Sequence, residues 1–422
     1  MDLARLKDID RVIVAAAGGI KVLSRLSWPA DTMAEFIDHW GRGNPRLPTV
    51  SYPPGDDLRD AASALSRAHA DLAVFDDPLA NFLRSTVRSY LTLCDLLQSA
   101  GSANLLTHSR RLYGIPGDRI SDGHISNLDA ARHFLTSSES YYQGLHLGDA
   151  DYCLPARIIK QELEARLAEV FPAGTIEVVV DPRLASKAAA GATRIRLRDD
   201  TCFSEYDLEQ LLQHEAFVHS LTALNGRLQP AAQSLGLGAP RTTGPQEGLA
   251  TFAEVVTGAI DIDRMKRMAL RVVGIDLALG GADFLDVFRY FLDSGQPESE
   301  SFSSTMRIFR GAPLTGGVAF TKDVVYLHGL MEIHTFFRWA MQHNRLELCH
   351  WFLAGRMTIA DTLKLAPLFA DRILTPPTYE PPWMKRINGL AGYLSFSLFA
   401  NRISVEALGE HHRFERPQDL GD

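Results

Sequence analysis

The chain has 422 residues, of which 46% are hydrophobic and 22% are charged, a composition typical of an ordinary globular protein. Its net charge of -8 and its isoelectric point of about 6.0 argue against recognition of nucleic acid through a basic surface. No apolar run reaches the ~18 residues that a membrane-spanning helix requires, so we expect a cytoplasmic protein without a membrane partner.

The first part of the chain, residues 1–150, is predicted to be an N-terminal helical region. Its apolar run from Val12 to Ile20 is short and follows three aspartates, so it predicts an amphipathic helix that continues into residues 22–26 rather than a secretory signal peptide. Residues 82–97 and 127–135 also carry apolar residues at spacings of three and four, which is the pattern of helices with one buried face.

Four cysteines, Cys94, Cys153, Cys202 and Cys349, lie far apart along the chain and form no CxxC pair. This spacing predicts buried free thiols in a reducing compartment rather than disulfides or a metal site.

The central part, residues 151–345, is predicted to be an α+β catalytic core, and residues 346–422 a C-terminal helical region packed on it. The β-branched residues of 175–181 predict a strand. Residues 192–200 alternate apolar and basic side chains, which predicts a half-exposed strand at the edge of a small sheet.

A long helix is predicted from Glu205 to Leu224. Ser204, with the acidic Asp207 three residues later, is typical of a capping box at a helix start. Asn225-Gly226 is a typical C-terminal stop.

The middle of this helix carries the pattern HExxxH, with His214 and His219 five residues apart. Zinc peptidases commonly use histidines four residues apart, which an α-helix separates by about 40°. Five residues separate them by about 140°, unless the helix widens locally to i→i+5 hydrogen bonds, which reduces the angle to about 50°. The motif therefore predicts a π-type deformation around residues 216–218 if both rings bind one ion.

A catalytic zinc site also needs a third protein ligand and an open position. Glu247, at the start of the next predicted helix and 28 residues beyond the second histidine, is the best candidate. Glu254, two turns further on, is an alternative ligand or a hydrogen-bond partner of a ligand histidine. His328 and His334 are further candidates, although an apolar helix often packs a histidine in its core.

The sequence Gln246-Glu247-Gly248-Leu249-Ala250, together with HExxxH, resembles the bacterial QEGLA-motif proteins, often described as modulators of flavohemoglobin expression. That family is similar to the animal tyrosine carboxypeptidases that remove the C-terminal tyrosine of α-tubulin. The resemblance runs from about residue 75 into the 380s and includes LYGIP (112–116), LNG (224–226) and FRGAPLTGGVAFTKDVVYLHG (309–329).

The resemblance implies a mainly helical α+β fold with a zincin-like metallopeptidase core. It also implies one zinc ion per chain, held by His214, His219 and Glu247, with Glu215 as the catalytic base. The base would take a proton from zinc-activated water as the water attacks a peptide carbonyl, and would then protonate the leaving amine. Cobalt or manganese would also fit these ligands.

A carboxypeptidase also needs a cation for the terminal carboxylate of its substrate, and Arg310 and Lys322 are the candidates. A further donor should stabilise the oxyanion that develops on the attacked carbonyl. Lys322, Tyr326 and His334 are the candidates for that role, and His334 is also assigned to substrate binding.

Three functions stay open on this basis. The main prediction is a zinc carboxypeptidase that acts on peptide or protein C-termini, with preference for an aromatic, tyrosine-like last residue. The alternatives are an endopeptidase that processes a peptide precursor and a non-catalytic regulatory protein that retains the metal. An amidated C-terminus separates the first two, because only an endopeptidase cleaves it. The presence of Glu215 favours an enzyme over the third.

Overall fold

The structure is a computed structural model that describes residues 2–20, 22–53, 55–120, 123–144, 153–182, 184 and 187–400. Over these residues the fold is mainly helical with two small sheets, which confirms the predicted α+β class. The boundary predicted between residues 150 and 151, and the predicted C-terminal region beyond residue 400, lie outside the described residues. Within the described part, no helix combines the length and the apolarity needed to cross a bilayer.

The helices and strands follow one another from a helical N-terminal part through the sheets to a second helical part. The α-helices are α1 (Leu3–Gly18), α2 (Val22–Arg25), α3 (Thr32–Gly41), α4 (Arg59–Asp71), α5 (Pro78–Gln98), α6 (Leu105–Tyr113), α7 (Asn127–Gly144), α8 (Ala156–Leu167), α9 (Glu205–Gln210), α10 (Leu221–Arg227), α11 (Thr243–Thr257), α12 (Ile262–Leu279), α13 (Phe284–Asp293), α14 (Glu298–Phe309), α15 (Val324–Gln342), α16 (Leu346–Phe352), α17 (Ile359–Ala370), α18 (Pro382–Lys385) and α19 (Ile387–Ala400). A π-helix covers Leu211–Ser220, and short 3-10 helices cover Asp56–Leu58, Leu72–Val74, Gln233–Gly236, Pro240–Thr242 and Thr321–Asp323. The strands are β1 (Leu154–Pro155), β2 (Glu177–Val180), β3 (Ala188–Gly191), β4 (Arg194–Leu197) and β5 (Cys202–Phe203).

The amphipathic helix predicted at the N-terminus is α1, but it ends at Gly18, and the predicted continuation into residues 22–26 is wrong because α2 is a separate helix. The buried apolar residues of α1 recur at spacings of three and four and are Leu6, Ile9, Ile13 and Ala17. Asp10 lies on the same buried face and accepts hydrogen bonds from the backbone nitrogens of Gln233 (2.7 Å) and Ser234 (3.2 Å). The first helix is thereby tied to the segment that follows the HExxxH helix.

The main sheet has three strands in the order β2-β4-β3, with β2 parallel and β3 antiparallel to β4. The prediction that residues 192–200 form an edge strand is wrong, because β4 is the central strand. Alternation of apolar and basic residues reports that one face of a strand is solvated, and it carries no information on whether the strand has one neighbour or two. Strand β3, with its small side chains, forms the edge beside the π-helix.

Cys153 and Cys202 form a disulfide with their Cα atoms 4.7 Å apart, so the prediction of free thiols is wrong for this pair. The antiparallel pairing of β1 with β5 brings together two cysteines that are 49 residues apart, a proximity that their spacing does not reveal. Cys94 and Cys349 are free and buried, and burial raises their pKa values to about 11 and about 12.

Helices α11 and α15 cross in close contact. Their buried apolar residues belong to one hydrophobic core, which also includes apolar residues of the π-helix. A Cβ atom on Gly248 would lie 2.3 Å from the carbonyl carbon of Gly329, and one on Gly329 would lie 2.3 Å from the carbonyl oxygen of Gly244. The glycine of the QEGLA motif is therefore required for two backbones to meet. The close contact at Gly248 fixes the position of the preceding residue, Glu247.

Substitution of Gly248 by Ala should destabilise the fold by about 1–3 kcal/mol, because the added methyl group must push the two helices apart. Urea unfolding followed by circular dichroism measures this loss. Gly18→Ala is the matched control, since it also lies in a helix but has no atom within 4 Å of an added Cβ. Alanine has the higher helix propensity at both sites, so the difference between the variants isolates the clash. Equal stability of both variants would contradict the close contact.

Candidate active site

The HExxxH segment is positioned by a helix that changes its winding. The helix starts as predicted at a capping box, in which Asp207 N donates to Ser204 Oγ (3.2 Å) and Ser204 N donates to the Asp207 carboxylate (2.6 Å). It passes into a π-helix over Leu211–Ser220 and returns to α winding up to Arg227. The predicted π-type deformation is present, but it covers ten residues instead of the three expected around 216–218.

The wide winding brings the rings of His214 and His219 to the same side, with centroids 4.8 Å apart and planes at 87°. Two side-chain contacts support the C-terminal half of the π-helix. Arg356 Nη2 donates to the carbonyl oxygen of His219 (2.9 Å), and Ser220 Oγ donates to the carbonyl oxygen of Gly191 on β3 (3.0 Å). π-helices are rare and cluster at functional sites, so this winding is typical of a functional segment.

The predicted helix stop at Asn225-Gly226 is wrong, and both residues serve tertiary contacts. Asn225 Nδ2 donates to the carbonyl oxygens of Leu353 (2.8 Å) and Tyr379 (2.9 Å). A Cβ on Gly226 would lie 2.2 Å from the carbonyl oxygen of Leu235. Asn225 is needed here for its side-chain amide, and Gly226 for its lack of a side chain. The pair does not form a left-handed turn that ends the helix.

His214, His219 and Glu247 converge on one point. His214 Nε2 lies 3.4 Å and His219 Nε2 lies 3.5 Å from Glu247 Oε2. Among the described residues, these three form a group whose ligand atoms all lie within 4.8 Å of one another. Ligand atoms of a tetrahedral zinc site, each about 2.1 Å from the ion, are about 3.4 Å apart. The two distances to Glu247 Oε2 therefore fit ligands of one zinc ion.

A second shell of charged residues orients the first histidine. Glu254 is fully buried, and its Oε1 lies 2.5 Å from His214 Nδ1. Arg264 holds this carboxylate with two contacts, Nε to Oε2 at 2.5 Å and Nη2 to Oε1 at 2.6 Å. A proton donated from Nδ1 to Glu254 leaves the lone pair of Nε2 for a metal ion, which is the usual arrangement behind a ligand histidine. Glu254 was predicted for this role from the sequence, whereas Arg264 was not.

The charges of the cluster favour a bound cation. Burial alone would lower the pKa of His214, but hydrogen bonds with Glu247 and Glu254 outweigh burial and raise this pKa to about 9. Burial would raise the pKa of Glu247, whereas Lys322 and the two histidines lower it well below its usual value. The third ligand candidate is thus an ionised carboxylate in a site that is shielded from water.

A cavity of about 280 Å³ opens beside the three converging residues. It is lined by Ala190, His214, Glu215, His219, Glu247, Arg307, Arg310, Phe320, Lys322, Asp323 and Tyr326. The cavity therefore brings the base candidate Glu215 together with the ligand candidates. Ala190 belongs to the edge strand β3, so this edge borders the cavity.

The three cations of this cavity have different partners. Lys322 Nζ lies 3.3 Å from Glu247 Oε1, so its charge faces a ligand candidate. Arg307 binds both carboxylate oxygens of Asp323, at 2.6 and 2.8 Å. Arg310 has no carboxylate partner among the described residues, and its buried Nε has no hydrogen-bond partner there. Of the two cations predicted to bind a terminal carboxylate, Arg310 is the one whose charge is free to do so.

The ion pair of Arg307 with Asp323 was not predicted from the sequence. Burial would raise the pKa of Asp323, but Arg307 outweighs it and holds the pKa below its usual range. Tyr326 lies beside this pair, and burial together with Glu247 raises the pKa of its phenol. The phenol therefore keeps its proton at neutral pH and is able to donate a hydrogen bond into the cavity.

His334 does not line the cavity, so the structure does not bring it together with the other candidates for substrate binding and oxyanion stabilisation. It lies eight residues beyond Tyr326 on α15, about 12 Å further along the helix axis. Its ring packs 6.3 Å from that of Phe252. His328, the other alternative ligand, has its Nε2 3.5 Å from Glu332 Oε1, and neither histidine belongs to the converging group.

The loop that carries Arg310 is fixed by the N-terminal part of the chain. The backbone nitrogen of Gly311 donates to Tyr52 Oη (2.8 Å), which also accepts a hydrogen bond from Trp28 Nε1 (2.9 Å). The Gly311 carbonyl accepts from the backbone nitrogen of Gly101 (2.7 Å). Gly311 has φ of 81°, a conformation that glycine adopts without strain. Side chains far away in the sequence thereby hold the one cavity arginine that has no carboxylate partner among the described residues.

One family model matches the chain, the model described as "Microtubule-associated tyrosine carboxypeptidase", over residues 34–402. The matched range includes both sequence motifs and every residue that lines the cavity. No curated protein sequence matches the chain.

Proposed function

The chain belongs to the microtubule-associated tyrosine carboxypeptidase family, and on that premise we propose that it is a zinc-dependent carboxypeptidase with a zincin-like core. Its substrate would be a peptide or protein that ends in an aromatic, tyrosine-like residue. One observation carries the proposal. His214 Nε2 and His219 Nε2 lie 3.4 and 3.5 Å from Glu247 Oε2, and Glu215 lines the same cavity.

Each cavity residue has a distinct chemical role. His214, His219 and Glu247 would hold a zinc ion, which when bound would supply Lewis acidity for the scissile carbonyl and the attacking water. Glu215 accepts the proton of that water and passes it to the leaving amine. Tyr326 donates a hydrogen bond to the oxyanion that develops on the carbonyl. Lys322 binds Oε1 of Glu247 and so holds Oε2 towards the ion, which makes it a positioning residue.

The substrate is held at its last residue. The guanidinium of Arg310 binds the terminal carboxylate in a bidentate fashion, since it has no carboxylate partner among the described residues. Phe320 provides an apolar wall for the last side chain, and the cavity of about 280 Å³ is small enough to favour an exopeptidase. The preceding residues of the substrate would lie beside the edge strand β3, whose Ala190 lines the cavity.

Two peptides test this proposal, one ending in tyrosine with a free carboxylate and the same peptide with an amidated C-terminus. We expect tyrosine release from the free acid alone. Arg310→Gln should lower kcat/KM for the free acid by about 100-fold, the effect of losing a charge-assisted pair of hydrogen bonds. Arg11→Gln, on an exposed side chain of α1, is the control and should leave the rate unchanged.

The other outcomes identify the alternative functions. Equal cleavage of the amidated peptide at an internal bond would assign the protein to the endopeptidases. Stoichiometric zinc without cleavage of either peptide would instead favour a non-catalytic metal-binding protein. Unchanged kinetics of Arg310→Gln would contradict the role of this arginine while leaving the metal site intact.

A further inference from the structure

A second recess, of about 150 Å³, shares no lining residue with the active-site cavity. Three arginines line it, Arg88, Arg111 and Arg241, and none of its lining residues is acidic. The chain as a whole carries a net charge of -8, so three arginines around one recess, of which only Arg241 is paired with an acidic residue among those described, depart from its average surface. Such a group creates a local positive potential that favours an anionic ligand.

The arginines come from three different elements. Arg88 lies on α5, on the same helical face as Ser85, because the two are three residues apart. Arg111 lies in the last turn of α6, and Arg241 lies in the 3-10 helix Pro240–Thr242. The three guanidinium groups therefore approach the recess from different directions and not along one helix.

Most of this positive charge is uncompensated. Arg88 and Arg111 are exposed and make no ion pair within the described residues. Arg241 uses Nη2 to bind Asp361 at 2.6 Å, and its buried Nη1 has no hydrogen-bond partner in the same part of the chain. The unpaired like charges of Arg88 and Arg111 repel one another across this small volume, and an anion between them would remove this repulsion.

We propose that this recess binds a phosphate group, either as free orthophosphate or as a phosphomonoester. A guanidinium presents paired N–H donors that match phosphate oxygens, and a tetrahedral phosphate offers oxygens in several directions. A planar carboxylate would satisfy one or two such groups and leave the third unpaired. Ser85 adds a hydroxyl donor, whereas Ser89 and Thr92 already donate to the backbone oxygens of Thr86 (2.8 Å) and Arg88 (3.0 Å).

Titration calorimetry of the full chain with orthophosphate tests the site. We expect wild-type protein to bind phosphate and the Arg88→Gln/Arg111→Gln variant to bind it at least about tenfold more weakly, as the loss of charge-assisted hydrogen bonds requires. The matched control is Arg67→Gln/Arg132→Gln, which removes two exposed arginines outside the recess. Circular dichroism of each variant verifies that the fold is retained.

Further ligands distinguish the sources of the phosphate. Glycerol 3-phosphate binding more tightly than orthophosphate would identify a phosphomonoester as the ligand, and the reverse order would identify the free ion. Acetate at the same ionic strength should not bind at this site. The proposal is overturned if wild-type protein binds no phosphate, if acetate binds as tightly, or if the double variant binds phosphate as wild type does. A double variant that binds phosphate as wild type does would show that phosphate binds elsewhere on the protein, such as at the candidate metal site.

Discussion

Glu215→Gln should lower kcat on a tyrosine-ending peptide by about 1,000-fold or more while the protein keeps about one zinc per chain. General base catalysis by a positioned carboxylate contributes typically about 10²–10⁴-fold, and glutamine has the shape of glutamate but cannot accept the proton. Glu215 lines the cavity beside the converging ligand atoms but does not belong to the ligand group, so its loss should spare metal binding.

Initial rates with the peptide, combined with elemental analysis of the same samples, separate the two effects. Glu209→Gln is the matched control, because this glutamate lies on α9 ahead of the π-helix and pairs with Arg166 outside the active-site cavity. The control should retain its rate. A Glu215→Gln protein that hydrolyses the peptide at the wild-type rate would eliminate the proposed mechanism, whatever its zinc content.

The ligand candidates were accessible from the sequence because their signal is local. Two histidines five residues apart fit one ion only if the helix widens, and this conflict between spacing and geometry predicted the π winding. Glu247 was accessible through the QEGLA motif. The structure brings these three residues to within ligand distance of one another.

The length of the π-helix was not accessible from the sequence. Spacing alone requires only one wide turn, and the winding over all ten residues depends on packing against β3 and α11 and on the contact between Arg356 and the His219 carbonyl. The same holds for the disulfide and for the central position of β4. Each depends on which segments meet in space, a property that local patterns do not encode.

Second-shell partners were the least predictable residues of the site. Arg264 reaches Glu254 across ten residues and Arg307 reaches Asp323 across sixteen, and no motif marks either arginine. His334 shows the converse case, since a titratable residue close to a motif in the sequence does not line the cavity in the fold. Proximity along a helix predicts a shared site only when the residues also share a face and a turn.

His214→Ala should abolish stoichiometric zinc binding, because it removes one of the three converging atoms and leaves a site with two protein ligands. Glu254→Gln should have an intermediate effect. It leaves all three ligand atoms in place but removes the charge that accepts the Nδ1 proton of His214, and loss of such a partner typically weakens metal binding by about 10–100-fold. Zinc competition with a chromophoric chelator measures both changes on one scale.

His350→Ala is the control for this series, because His350 Nδ1 also contacts a carboxylate, Glu380 Oε1 at 2.6 Å, and lies outside the converging group. If zinc content falls equally in the His214 and His350 variants, the loss reflects general destabilisation and not a ligand. Wild-type protein that takes up no zinc when zinc is offered would overturn the metallopeptidase proposal. We expect a graded series in which His350→Ala binds zinc as wild type does, Glu254→Gln binds it more weakly and His214→Ala does not bind it. Such a series requires that Nε2 of His214 is a ligand and that a carboxylate orients the same ring at Nδ1.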